Sequence, residues 1–412
     1  MAGEILFLAH RTPFPPDRGD KIRSHNVLKA LAALAPVHVG CLGETDADMA
    51  EEKALAALAA SYCMPRRTKP LPLAGIEALA TGAAISISAF ENKALYRWVR
   101  DTLTNRPIAA IYIFSGQMGQ YVPHDWSGRL VVDFVDVDSA KFEAYAAKSG
   151  LPMRWVHARE GRLLRHYEAQ LAARADCSLL VSDEEAALMR ARCPGVPNIG
   201  ALRNGIDCAL YDPAKVRPHR DLANAAGPHF VFSGQMDYAP NIDAVERFTR
   251  RIMPAILTLH PAAQFHIVGR VPTPAVRKLA SEQGVTVWGE VPDVRPFLAA
   301  ASMVVAPLTI ARGVQNKVLE AMAMAKTVLA SPEALTGIDG EDGEHFLRCD
   351  SDAEFVAQAC ALADDRFRAE KVGKAARQLV LDRMSWPAMM APLADIVGLT
   401  PGPERTARRN AA

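Results

Sequence analysis

The sequence predicts an α/β protein of two tandem domains, each a parallel sheet with helices on both faces. Three observations carry this. Short apolar, β-branched runs alternate with helical stretches along the chain, the pattern of strands buried on both faces. The chain has 412 residues, above the usual ceiling for one core, so two domains of roughly 200 residues each are expected. Near the middle, LRNGIDCALYDPAKVRPHRDLANAAGPH (202–229) replaces that alternation with turn residues, prolines and charges.

In the first half the strand-like runs are ILFLAH (5–10), VHVGCL (37–42), IAAIYIF (108–114), RLVVDFVDV (129–137) and CSLLVS (177–182). The second half contributes HFVFSG (229–234), AQFHIVG (263–269), VTVWG (285–289), MVVAPL (303–308), TVLAS (327–331) and EHFLRCD (344–350). Near the end, Ser385 is a candidate N-cap and Pro387 suits a first helical turn. The boundaries read as 1–205 for the first domain, 206–228 for a linker, 229–385 for the second domain, 386–400 for a last helix and 401–412 for a solvated tail. The pentapeptide FSGQM occurs at Phe114–Met118 and again at Phe232–Met236, after different strands of the two domains. Shared strand-end chemistry explains that better than a duplicated ligand loop.

A net charge of +1 with few long like-charge runs argues against a dedicated nucleic-acid binder, which needs a dense basic face. The seven cysteines are scattered without a C-x-x-C pair, which suggests neither a disulfide framework nor a zinc site. The beginning lacks the pattern of a signal peptide, and no apolar run reaches the ~18 to 20 residues of a membrane span. A cytoplasmic protein is the expectation.

Four constellations can carry chemistry. HRTPFPPDRGDKIRSHN (10–26) leads through Gly19 into a helix bearing Asp20, Lys21 and Arg23, and a glycine before a cationic helix start suits an anion. An ordinary βα turn with solvated charges is the alternative. VVDFVDVDSAKFEAY (131–145) places Asp136 and Asp138 on one face of a strand end and Asp133 on the other; the first two can orient acceptor hydroxyls or act as a base. Helix capping by Asp138 or Ser139 competes with that role. In SGQMDYAPNIDAV (233–245), Gly234 and Gln235 let backbone approach a ligand and Asn241 is a plausible helix cap. IVGR (267–270) ends a strand in Gly269 and Arg270, which can meet a base, ribose or phosphate, or simply lie on the surface.

The fourth, ARGVQNKVLEAMAMAK (311–326), follows a strand directly. Exposed amides at a helix start and the positive end of its dipole let Gly313, Val314, Gln315, Asn316 and Lys317 cradle a diphosphate, with Lys317 adding a full charge; Arg312 just before them is a candidate donor contact. Glu320 lies on the same face as Asn316, about 6 Å further along at ~1.5 Å per residue. A carboxylate there suits the two hydroxyls of a ribose. Taken alone, a Lys317/Glu320 helix pair would account for the same residues.

Together these motifs resemble the family 4 glycosyltransferases of GT-B fold, over nearly the whole chain. The resemblance rests on PPDRGDKIR, RNGID followed by YDP, FSGQMDYAPN, IVG, GEVPD and GVQNKVLEAMAMAKTVLAS. Within that family FLAHRTPFPPDRGDKIRSHNVLKALA and GVQNKVLEAMAM look most like the sugar transferases of exosortase (PEP-CTERM) exopolysaccharide clusters. The resemblance implies two Rossmann-like domains facing across a cleft, a nucleotide-diphosphate sugar held by the second, an acceptor held by the first, and a last helix crossing back to the first. It also implies that Gly19 approaches the donor phosphates, that residues 313–317 hold the diphosphate, that Glu320 binds the ribose, and that neither metal nor cofactor is needed. Many members carry a second glutamate eight positions before the ribose-binding one, where this chain has Arg312. Their arginine and lysine pair near the start of the second domain is also missing.

The expected function is a retaining, hexosyltransferase-type enzyme moving a sugar from a nucleotide-diphosphate donor to a lipid-linked or polysaccharide acceptor. Alternatives are an inactive nucleotide-sugar-binding scaffold, for which Arg312 speaks, and a sugar-nucleotide epimerase of the same fold. MPRRTKPLPLAGIEALATGAAISISAF (64–90) joins Arg66, Arg67 and Lys69 to an apolar amphipathic stretch, which suggests peripheral docking on an anionic inner leaflet. A core helix with a basic loop is the competing reading.

Overall fold

The computed structural model describes residues 3–311 and 313–399 and divides into two compact units. The first runs to Asn204 and takes in the described residues from Met389 onward; the second is Gly205–Ala388.

In the first unit seven strands, β1 (Glu4–Ala9), β2 (Val37–Cys41), β3 (Ser61–Cys63), β4 (Ile108–Phe114), β5 (Arg129–Val135), β6 (Cys177–Leu180) and β7 (Ile199–Ala201), form one sheet in the order β3-β2-β1-β4-β5-β6-β7. Every pairing is parallel, with Phe7 opposite Val39 on one side and Tyr112 on the other. Leu6, Leu8, Ile111, Ile113 and Val132 lie in its core, which is why these runs carry no polar alternation. β3 and β7 escape the sequence reading because each has three residues and stands at a sheet edge, too short to set up a pattern.

The second unit holds β8 (His229–Ser233), β9 (Gln264–Val268), β10 (Val285–Gly289), β11 (Met303–Ala306), β12 (Val328–Ala330) and β13 (Leu347–Arg348), all parallel, in the order β10-β9-β8-β11-β12-β13. Phe230 of β8 pairs with Phe265 of β9 and Met303 of β11 at the centre of the core. Residues 206–228, read from sequence as a linker, are built into this unit. Ile206 and Leu222 join its core, and the Ile206 amide bonds the Met384 carbonyl.

Both sheets are Rossmann-like: strand order reverses between β1 and β4 in one and between β8 and β11 in the other. At such a point the connections leave in opposite directions and open a crevice at the carboxyl ends of the strands.

Helix ends depart from sequence expectation in three places. Ser385 caps as expected, accepting from the Ala388 amide, but the described part of 386–400 forms two short helices, Trp386–Met390 and Leu393–Ile396, rather than one. Pro392 stands between them, and a proline N-cap cannot continue the preceding helix. Neither Asp138 nor Ser139 caps helix Asp138–Lys148, whose cap position is Val137; the Ser139 hydroxyl and amide both bind Glu168. Asn241 lies inside helix Ala239–Arg247, capped at Tyr238, and its side chain is used elsewhere.

Candidate functional site

The crevice of the second unit is built at the ends of β8, β9 and β11. β8 and β9 come so close that a Cβ on Gly269 would lie 1.6 Å from the Gly234 carbonyl oxygen. Only glycine fits there. A Cβ on Gly234 would stand 2.8 Å from Asn241 Nδ2 and 3.1 Å from Lys317 Nζ, so this glycine too leaves room for polar groups.

A continuous polar chain follows. Arg270 Nη2 donates to Gln235 Oε1 at 3.0 Å, Asn241 Nδ2 donates to the Gln235 carbonyl at 2.8 Å, and Lys317 Nζ donates to Asn241 Oδ1. The ammonium also sits 4.2 Å from the centre of the Phe232 ring. Four residues chosen from three motifs are thus brought into one network, and Asn241 acts as its hinge instead of as a helix cap. Phe232 was missed because a strand phenylalanine gives no local sign of a cation above it.

Helix Asn316–Ala323 starts with no side-chain cap; Gln315 occupies the cap position and donates to the Gly313 carbonyl at 3.1 Å. Among the described residues no side chain takes up the Asn316 and Lys317 amides, which are available to an anion, while the Val318 amide bonds the Gln315 carbonyl at 3.0 Å. Gly313 has φ of +65°, a conformation that favours glycine, and Val314 packs against the core, leaving its backbone for the site. Asn316 is exposed, while Lys317 and Glu320 are half-buried. Arg312 lies outside the described residues.

Burial works on both charged groups. It pulls the Lys317 ammonium down to about 8, against the attraction of Glu320. It raises the Glu320 carboxyl, which a Tyr211 hydrogen bond and Lys317 hold back. Tyr211 belongs to the 206–228 segment and is fixed by Arg377, which donates to its carbonyl at 2.9 Å and to Asp212 Oδ1 at 3.3 Å. The tyrosine was legible only as part of the YDP motif. A cation beside open amides, with a carboxylate and a phenol further along, can grip a diphosphate and then hydroxyls.

The first unit carries its own cavity of about 650 Å³ at its crevice, lined by His10, Asp20, Phe90, Phe114, Asp136 and Asp138 among others. Two of its wall residues, Ser115 and Val135, have φ of 76° and 69° without being glycine. Such backbone costs about 1–3 kcal/mol per residue and gathers at functional sites. His10 is buried, its Nδ1 has no partner among the described residues, and burial lowers its basicity. Asp136 and Asp138 lie beyond β5, because the turn at Val135 ends the period-two pattern from which a shared strand face was inferred. They are joined instead through Lys141, which donates to Asp136 at 2.7 Å and Asp138 at 3.3 Å; Gln117 adds a 3.0 Å bond to Asp138.

The predicted cationic anion site on helix Gly19–Leu34 is not assembled. Lys21 is buried against Asp48, whose carboxyl it helps hold at about 2. Arg23 is buried with Asp133, at 3.0 and 3.1 Å, and also donates to Asn204. A buried cation must be paired, and these two spend their charge on partners inside the unit. Asp20 accepts from Arg11 at 3.0 Å, and against its burial, hydrogen bonds from His10 and Arg11, with Arg18 nearby, push its carboxyl far down. Gly19 has nothing within 4 Å of where a Cβ would sit, so space at the helix start is open. The basic cluster further on is likewise engaged: Arg66 with Asp46, Arg67 with Glu44, and Lys69 with Glu77 and Glu91.

Among the described residues no group of three His, Cys, Asp or Glu side chains is placed to hold a metal ion. No described helix is long and apolar enough to cross a membrane.

Residues 227–365 match the family model of the glycosyl transferases group 1. No curated protein sequence matches the chain. Among solved structures, Anabaena HepE in complex with UDP is similar with a TM-score of 0.58 and 14% identity, over 96% of this chain and 100% of that one. Sucrose-phosphate synthase from Thermosynechococcus elongatus gives 0.56 and 16%, over 96% and 98%. The lipopolysaccharide outer core galactosyltransferase WaaB gives 0.55 and 13%, over 96% and 99%. At such identities the likeness speaks for the fold. The second unit thus carries a group 1 glycosyl transferase domain, and the chain is a transferase of GT-B fold.

Proposed function

We propose that the protein is a retaining glycosyltransferase that moves a sugar from a nucleoside diphosphate to a lipid-linked or polysaccharide acceptor, in exopolysaccharide synthesis of the exosortase-associated kind, at the inner membrane face. The observation that carries the donor half is the Lys317 network. A half-buried ammonium, open helix amides and the Glu320–Tyr211 pair stand together at the switch point of the second sheet. Lys317 and the amides of residues 313–317 would take the diphosphate, Glu320 the ribose, and Arg270 with Gln235 the remainder of the donor. HepE has been solved with UDP and with UDP-glucose, which supports a nucleotide sugar as the ligand class.

The acceptor belongs to the first unit, where Gly19 leaves space and Asp136 and Asp138 offer acceptors to hydroxyl groups. In a front-face reaction the acceptor oxygen bonds the anomeric carbon as the bond to the diphosphate breaks. The hydroxyl proton passes to the leaving phosphate, so no protein nucleophile is required. Lys317 and the helix amides stabilise the charge that develops on that leaving group, commonly the largest contribution in such sites. They supply it without calling on a metal or cofactor.

The test is incubation with labelled nucleotide sugars and a membrane lipid extract. Acceptor-dependent release of nucleotide supports transfer. Interconversion of the free donor would identify an epimerase, and binding without either would leave a scaffold.

A further inference from the structure

Helix Leu71–Thr81 is inside out. It buries Ala74 and Ala78 and turns its large side chains outward, with Ile76 66% and Leu79 57% exposed and Leu71 and Leu73 beside them. A surface helix of a water-soluble domain normally does the reverse, burying its apolar stripe. The facing ends of helices Asp138–Lys148 and Met153–Arg174, with the turn between them, do the same: Leu151 is 84% and Trp155 57% exposed, with Met153 and Tyr145 also outward.

These are one surface. Arg159, on the second of those helices, donates to the Ala78 carbonyl at 2.7 Å and to that of Ala83 at 3.1 Å, while the neighbouring Glu160 accepts from the Ile85 and Ser86 amides. The cavity of the first unit reaches the same surface, because Leu71 and Met153 are both exposed and line it. Ile85, Phe90, Phe142 and Val156 give it an apolar wall there, beside the polar Ser86, His157 and Glu160, and His10 and Asp136 line it as well.

Charge selects the occupant. Helix Leu71–Thr81 has one ionisable residue, Glu77, and Lys69 neutralises it at 2.6 Å. From Ala144 to Val156 the sequence holds two cations, Lys148 and Arg154, both exposed, and no acid. Exposed Leu and Ile beside an outward Trp and Tyr, flanked by basic residues, match the composition of segments that sit in the lipid headgroup layer.

We propose that this face docks on an anionic lipid bilayer and presents the mouth of the cavity to it, so that the acceptor is an amphiphile drawn from the membrane with its apolar part against Phe90 and Phe142. The choice of acceptor rests on the transferase reading; the docking face does not. The charges that draw the protein to lipid are Lys148 and Arg154, in place of the internally paired Arg66, Arg67 and Lys69.

The test is co-sedimentation of the full chain with phosphatidylcholine vesicles, with and without roughly 30% phosphatidylglycerol. The wild type should bind the anionic vesicles. Ile76→Ser with Leu79→Ser, or Leu151→Ser with Trp155→Ser, should each weaken partitioning about tenfold or more. Lys148→Gln with Arg154→Gln should remove the preference for anionic lipid, and neutralising Arg66, Arg67 and Lys69 should leave binding unchanged. All these side chains are exposed or partnered at the surface, and nucleoside diphosphate binding, measured as a thermal shift, should persist in every variant. Loss of vesicle binding with donor binding intact supports the face independently of the donor site. Failure of the wild type to bind vesicles, or serine variants that bind as well as it does, would overturn the proposal. So would a dimer in solution that Ile76→Ser dissociates, since the occupant would then be a second copy.

Discussion

Lys317→Met separates what the residue costs the fold from what it gives the ligand. Burial lowers the ammonium from 10.5 to about 8, a difference of about 3 kcal/mol against folding. The sign follows from linkage. Below pH 8 both folded and unfolded chains carry the charge, so the penalty is fully present at neutral pH, and it fades as pH rises from 8 toward 10.5. The contact with Phe232 and the charge-assisted bond to Asn241 return about 2 kcal/mol. Methionine keeps the apolar stem and removes the charge, so the free protein should gain about 1 kcal/mol at pH 7. A bound diphosphate loses a charge-assisted hydrogen bond of about 1.5–3 kcal/mol, which is ~10- to 150-fold in affinity. Calorimetric titration with a nucleoside diphosphate and with the bare nucleoside, over a pH range spanning 8, reads both effects. Wild-type affinity for the diphosphate should fall as pH rises above 8, the variant should show no such fall, and the nucleoside should be nearly indifferent. A variant that binds diphosphate like the wild type, or that is less stable at neutral pH, refutes the reasoning.

Glu320→Ala should lower donor affinity at least about tenfold while the thermal melt of the free protein persists, since the carboxylate is only half-buried; unchanged affinity would remove the ribose assignment. His266 is kept neutral down to about 4 by burial beside His229, with its Nδ1 accepting from Trp288, so stability should fall by about 3 kcal/mol as pH drops from 6.5 to 4. Denaturant midpoints at these two pH values should converge in His266→Gln, and an equal pH loss in that variant would assign it to other groups. Gly269→Ala pushes a methyl onto the Gly234 carbonyl and should lower the melting temperature by several degrees and weaken donor binding; a wild-type melt would contradict the close approach of β8 and β9.

Much of the candidate site of the second unit was legible because its signals are local. Gly234, Gly269 and Gly313 end strands or open a helix, and Lys317 and Glu320 stand one turn apart, so sequence order alone places them at one end of a sheet. The reading failed where a charge had to choose a partner. Lys21 and Arg23 look like an anion site along the chain, but their carboxylates come from 27 and 110 positions away. Arg66, Arg67 and Lys69 look like a lipid anchor and are neutralised by four acids.

By itself the sequence determined the two parallel sheets and put glycines and a helix start at the strand ends of the second. These follow from short-range periodicity and backbone geometry, which a chain carries wherever it folds. Only the tertiary structure decided which cations remain free, which face of helix Leu71–Thr81 meets solvent, and that Lys317 is partly desolvated over Phe232. Burial and charge pairing are set by neighbours distant in sequence, and the energy of an ionised group depends on those neighbours more than on its own identity.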